Sequence, residues 1–179
     1  MPLVSAIRWA VLLIYLRIFI GAGMTFRKTG EMRGRTLPFV ITIWILGAQL
    51  QTHEPYTPML VPAGVLMAGG LALFQWASNA VRGQFFSYLG DSDIPQFVFQ
   101  KGPFAYIRNP FYCSYILVNL GVMLLVTNWI TVAAAVACIV ILDQAARFEE
   151  RKFESSPVAE EYREYKARTG RFVPKLPRR

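Results

Sequence analysis

The sequence predicts an all-α, polytopic integral membrane protein: five transmembrane helices in a single membrane domain, 1–179, with a cytoplasmic C-terminal helical segment. Three observations lead there. The chain is 54% hydrophobic with a mean hydropathy of +0.36, and its apolar residues come in long runs rather than amphipathic stripes. All but two of its 19 lysines and arginines fall in the segments 26–36, 81–110 and 147–179. The apolar run from Phe111 to Leu142 would be about 48 Å long as one helix, too long for a hydrocarbon core of about 30 Å.

The first span is read over Leu3–Gly23. The run lacks the basic start and small-residue cleavage site of a signal peptide, so it is expected to remain as a membrane helix. Arg8 can snorkel to the surface, whereas Arg17 lies deeper and should face protein or water, a structural partner being the plainer reading. After the basic segment Phe26–Thr36 comes a short second span, Leu37–Gln51, and then a polar turn, Thr52–Pro58, with two prolines and no lysine or arginine. The third span, Met59–Ala80, carries Gly64, Ala68 and Ala72 at four-residue spacing, a stripe that would let another helix approach closely.

From Val81 to Asn109 the chain is mixed and polar, a connection long enough to suggest a lid or binding segment. Asn109 suits a helix N-cap and Pro110 the first helical position, so the next helix should start there. Arg108 beside that N-terminus offers a site for an anionic group, although every membrane helix has such an end. Thr127 and Asn128 break the long apolar run into a hairpin of two short helices. That break puts all three basic segments on one side, as cytoplasmic loops require, with the N-terminus outside and the C-terminus inside. The fifth span should run on into the cytosol, where Asp143, Arg147 and Glu150 share a face. Pro157 restarts a helix with Glu160 and Glu161 in its first turn and Glu164 and Arg168 as an i,i+4 pair. Gly170 stops it, and Pro174 and Pro177 keep the basic end extended.

Several chemistries are disfavoured. The single histidine, His53, has no partners at metal-ligand spacing, so no metal is expected. Cys113 and Cys138 lie inside apolar runs and read as free thiols. There is no Walker loop, Gly21-Ala-Gly23 lacks the rest of a dinucleotide fingerprint, and basic residues that flank spans argue against nucleic-acid binding. What remains on the cytoplasmic side is an aromatic and basic stretch, 96–112, and the glutamate pair Glu149 and Glu150. Such a set can hold a cationic or adenine-bearing ligand, but belt aromatics and solvated anchors would give the same composition.

The order GPFAYIRNPFY, helical hairpin, FEERKF, EEYREYK and a proline-containing basic end resembles the isoprenylcysteine carboxyl methyltransferase family, whose wider group includes membrane phospholipid methyltransferases. The resemblance covers about residues 81–176 and rests on order and spacing rather than on any one piece. It implies an integral membrane enzyme whose C-terminal portion, 81–179, binds S-adenosylmethionine in a cytoplasmic pocket closed by the C-terminal segment. A lipophilic acceptor would enter from the bilayer, a prenylcysteine-type carboxylate first and a phospholipid amine next. Carried over by position, the cofactor contacts are Gln96, Phe97, Val98, Phe99, Phe104, Asn109, Pro110, Phe111, Tyr112 and Glu150, with Glu149 as neighbour. Arg147 is the nearest match to an arginine that meets the acceptor carboxylate, and with Glu150 and Arg108 it makes up the catalytic set. Asn109 stands where the family has histidine, and it cannot titrate near neutral pH. Two rivals remain: a sterol-type reductase relative using NADPH, usually a longer chain with more spans, and a non-catalytic binding module, which the loss of that histidine would favour.

Overall fold

The computed structural model describes residues 2–25, 36–82 and 94–175. The expected basic loop 26–35, most of the 81–93 connection and Pro177 lie outside the described residues. Within them the chain forms α1 (Pro2–Thr25), α2 (Thr36–Thr52), α3 (Leu60–Ala80), α4 (Pro110–Leu125), α5 (Trp129–Glu154) and α6 (Ala159–Arg168). Short 3-10 turns at Thr57–Met59 and Gly102–Ala105 precede α3 and α4. Among the described residues the only β-type pairing is an isolated parallel bridge between Ile107 and Gly170.

Among the described residues, three helical stretches are long and apolar enough to cross a membrane: Leu3–Gly21, Thr57–Ala80 and Trp129–Glu154. The other two, α2 with 17 residues and α4 with 16, are apolar but shorter, about 24–26 Å at 1.5 Å per residue. The hairpin break falls where the sequence places it. Asn128 caps α5 by accepting from the backbone N–H of Ile130 (2.9 Å) and Thr131 (3.0 Å), while its own N–H donates to the Thr131 hydroxyl (3.1 Å). This reciprocal box stops the helix from running through, and the Asn128 amide also donates to Gln49 at the end of α2 (2.8 Å). Asn128→Ala is therefore expected to cost about 1 kcal/mol, read as a lower unfolding midpoint with unchanged helix content.

The core runs between α3 and α4. Ala63, Met67, Gly70, Phe74 and Ala77 form the buried face of α3 against Val118, Val122 and Leu125 of α4. Small residues permit this contact, but not the expected ones. A Cβ on Gly70 would stand 2.8 Å from the Ser114 carbonyl oxygen, and one on Gly121 would stand 2.9 Å from that of Ala63. Gly64, by contrast, has nothing within 4 Å of its Cβ direction, and Ala68 and Ala72 are exposed. The four-residue stripe lies on the outer face because the apolar bulk of Met67 and Phe74 turns the adjacent face inward.

Polar side chains tie the helices together across the apolar layer. The Tyr15 hydroxyl donates to Asn119 (2.7 Å), and the Asn119 amide donates to the Cys138 sulfur (3.0 Å). Both cysteines are free thiols. Arg8 closes the end of α2 by donating to the carbonyls of Leu50 (3.0 Å) and His53 (3.2 Å). Arg17 finds the structural partner the sequence reading expects: although its side chain is exposed, it donates to Gln75 of α3.

Candidate functional site

The site forms where α3, α4 and α5 end on one side and the C-terminal residues fold back over them. Its first part is the turn before α4. Gly102 has φ +60, a left-handed conformation that favours glycine, and a Cβ there would stand 2.7 Å from that of Ala80. This close seat on the end of α3 brings the Tyr106 and Trp76 rings to 6.2 Å. It also buries Phe104 between Phe99 (centroids 5.2 Å apart, edge-on) and Phe111 (6.1 Å). Phe111 in turn meets Phe74 of α3 at 5.5 Å. Edge-to-face aromatic packing of this kind gives a firm apolar wall.

The backbone after that turn carries donors that the C-terminal residues satisfy. The N–H of Arg108 donates to Gly170 (2.8 Å), that of Asn109 to Arg171 (3.1 Å), and that of Gly170 to Tyr106 (3.2 Å). Residues 169–175 thereby form a strap across the start of α4. Asn109 occupies the N-cap position with Pro110 at the first turn, but its side chain makes no capping hydrogen bond. The Asn109 amide instead reaches the Arg171 carbonyl at 3.5 Å, because the strap has taken the space beside the helix end.

Glu150, near the end of α5, is 4% exposed and is held by two arginines. Arg108 donates to it through Nε (3.1 Å) and Nη2 (2.9 Å), and Arg171 through Nε (3.0 Å) and Nη2 (2.9 Å). Lys166 stands 3.5 Å away. Arg171 also pairs with Asp143 at 2.7 Å, so one guanidinium bridges two turns of α5. The hydrogen bonds to Glu150 raise the Arg171 pKa above its already high ordinary value, and the bond to Asp143 adds to them, against an opposing effect of burial. Arg108 additionally donates to the Thr169 carbonyl, which fixes the strap to the same charge cluster.

Beside this cluster lies a pocket of about 650 Å³, counting space open to solvent. Val98, Phe99, Phe104 and Phe111 form one side, and Phe153, Tyr162 and Tyr165 form the other. Phe153 stacks on Tyr162 at 4.6 Å, and the Tyr165 hydroxyl donates to the Phe104 carbonyl (2.6 Å), which joins the two sides. Burial pushes the phenols of Tyr162 and Tyr165 well above their usual pKa, so both remain protonated donors. The polar lining is Arg108, Asn109, Tyr112, Glu149 and Glu150, with the Tyr112 hydroxyl donating to Glu149.

Ten of the residues singled out from the sequence line this pocket: Val98, Phe99, Phe104, Arg108, Asn109, Pro110, Phe111, Tyr112, Glu149 and Glu150. Three lie outside the lining. Gln96 is exposed and its amide donates to the Ile94 carbonyl (3.1 Å), while Phe97 is 44% exposed. Arg147 has a side chain 58% exposed and pairs with Asp143, one turn before it, at 2.6 Å. The sequence reading missed Arg171 and three pocket-lining rings, those of Phe153, Tyr162 and Tyr165. Phe153 stands three residues after Glu150, and Tyr162 and Tyr165 share that spacing, which puts each pair on one helical face. Arg171 gives no such signal.

No curated protein and no solved structure gave a significant match. A family model described as phospholipid methyltransferase matches residues 58–157, more than half of the chain, from the turn before α3 through the end of α5. The matched stretch contains the α3–α4 core, the aromatic turn and both glutamates. Together with the apolar helices that end at this pocket, that match makes the chain a member of the phospholipid methyltransferase family.

Proposed function

We propose that this protein is an integral membrane enzyme that transfers a methyl group from S-adenosylmethionine to a lipophilic acceptor. The observation that carries the reading is the pocket itself. Aromatic walls and fixed charges meet at one end of a bundle of apolar helices.

The donor set fits S-adenosylmethionine. Glu149 offers a carboxylate to an ammonium or a ribose hydroxyl pair. The rings of Phe104 and Phe111 offer faces to an adenine, and Tyr112 offers one to a sulfonium. When bound, the cofactor supplies an electrophilic methyl group. The residues of this chain position and desolvate: Phe99, Phe104 and Phe153 exclude water, Tyr112 fixes the Glu149 carboxylate, and Arg108 and Arg171 hold the charge of Glu150. Positioning of this kind is a sufficient source of catalysis for methyl transfer, and it needs no titrating group where Asn109 stands.

The family favours a phospholipid amine as acceptor over the prenylcysteine carboxylate that the motif spacing put first. In the arrangement we propose, α1 to α5 all cross the membrane, with the N-terminus outside and the pocket on the cytoplasmic side where the basic segments gather. The short α2 and α4 cross through local thinning of the bilayer. The test is transfer of labelled methyl from S-adenosylmethionine to phosphatidylethanolamine or prenylcysteine in vesicles. Label should enter the lipid fraction, and Glu149→Gln should weaken cofactor binding about 10- to 100-fold by removing a charged hydrogen-bond partner. Folded wild-type protein that neither binds the cofactor nor labels either lipid would sink the proposal.

A further inference from the structure

A second polar feature lies outside the pocket, on the flank where α1 meets α3. Arg17 stands six residues before Gly23, where the first span is read to end, about 9 Å inside it at 1.5 Å per residue. Its guanidinium lies over the Phe74 ring, 5.9 Å from the centroid, and donates to the Gln75 Oε1 atom. The Gln75 amide donates in turn to Asn79 Oδ1 (2.8 Å), and Arg82 donates to the same oxygen (3.4 Å). These four side chains make a ladder up the last two turns of α3, with an arginine at each end.

The ladder is unbalanced. The oxygens of both amides are already used as acceptors by protein donors, so what it presents outward are N–H groups. Among the described residues no carboxylate lies within ion-pair distance of Arg17 or Arg82. An arginine within a membrane span is costly unless it finds an anion or water, and Arg17 is exposed rather than buried in the bundle. Its depth, in the outer third of the span, lets the long side chain reach toward the phosphate groups of that leaflet.

We propose that the α1–α3 flank binds the phosphate of an anionic phospholipid in the leaflet on the pocket side. Arg17 and Arg82 supply the charge, and Gln75 and Asn79 hold both guanidiniums in place. This site is separate from the methyl-transfer pocket. The fully buried Phe74 ring stands between them, touching Arg17 on one side and the pocket-lining Phe111 on the other. The bound lipid therefore lies against the outside of the pocket wall, as a resident lipid rather than as the acceptor.

Native mass spectrometry of the detergent-solubilised full chain, titrated with dioleoyl phosphatidylglycerol or phosphatidylcholine, tests this. One phosphatidylglycerol should bind at least about fivefold more tightly than phosphatidylcholine, and Arg17→Gln or Arg82→Gln should each remove about that factor. Arg82→Gln, at the exposed end of the ladder, keeps the test open if Arg17→Gln does not fold, and Arg17→Lys should retain part of the preference. Equal affinity for the two lipids, or no change in Arg82→Gln, overturns the proposal. Displacement of phosphatidylglycerol by millimolar inorganic phosphate overturns its assignment to a lipid. The readout does not involve methyl transfer, so its failure leaves the pocket reading untouched.

Discussion

Glu150→Ala is expected to cost about 3–5 kcal/mol of stability and to abolish cofactor binding. The carboxylate is almost fully buried and accepts four hydrogen bonds from Arg108 and Arg171, whose side chains are 7% and 24% exposed. Removing it leaves two guanidiniums close together with no carboxylate between them. The loss is that of an unpaired buried charge, not of one contact. Glu149→Ala makes the useful contrast. That residue is half-buried, and its loss leaves the Tyr112 hydroxyl free to turn to water, so stability should fall by only about 1 kcal/mol while cofactor affinity falls sharply. A third variant separates structure from binding. Replacing the cluster as a unit, with Glu150→Leu, Arg108→Met and Arg171→Met together, should recover most of the lost stability, because apolar residues of similar volume pack without the desolvation penalty. It should not recover binding. Unfolding midpoints in detergent and cofactor titrations on the three proteins check this. A Glu150→Ala protein as stable as the wild type would mean that the charge cluster does not hold the site together.

The helices were legible because their ends carry strong local signals. Thr127 with Asn128, Pro110 after Asn109, and Gly170 after Arg168 each act over a few residues, and the structure ends or starts helices there. The pocket was partly legible for a similar reason: the turn and the glutamates lie in stretches whose order resembles a family pattern. The pairings between segments were not. Arg171 meets Glu150 across 21 positions, and nothing in local spacing selects it over Arg168 or Lys166. Local spacing also misled. The expected Glu164–Arg168 pair is not among the ion pairs; Arg168 reaches Gln100, while Arg163 pairs with Glu160 at 2.6 Å. An exposed i,i+4 pair contributes only about 0.3–0.5 kcal/mol, which a tertiary contact easily outweighs. Facing direction was the third difficulty. Gly64, Ala68 and Ala72 have the right spacing for close packing, but which stripe of α3 turns inward depends on the partner helix, α4.

Gly170→Ala is expected to release the strap, with a stability cost of about 1–3 kcal/mol and a loss of cofactor affinity as large as that of Arg171→Ala. The reason is space rather than backbone conformation, since Gly102 is the glycine with positive φ among the described residues. A Cβ on Gly170 would stand 1.6 Å from the Val173 carbonyl oxygen and 2.8 Å from its carbon. Backbone atoms cannot rotate away as a side chain end can, so the turn from Gly170 to Val173 must open. Opening it breaks the pairing of Gly170 with Tyr106 and Arg108, and it carries Arg171 away from both Glu150 and Asp143. Trypsin should then cut at Arg168 and Arg171 faster than in the wild type, with helix content otherwise kept. Gly64→Ala supplies the control: nothing lies within 4 Å of that position, and alanine suits a helix better than glycine, so neither proteolysis nor binding should worsen. Wild-type protection in the Gly170→Ala protein would mean that the strap seats without its close turn. Faster cleavage with unchanged affinity would mean that Arg171 stabilises the fold but does not shape the pocket. Faster cleavage together with weakened binding is the outcome that the geometry requires, because the same guanidinium that anchors the strap also holds the buried carboxylate beside the pocket.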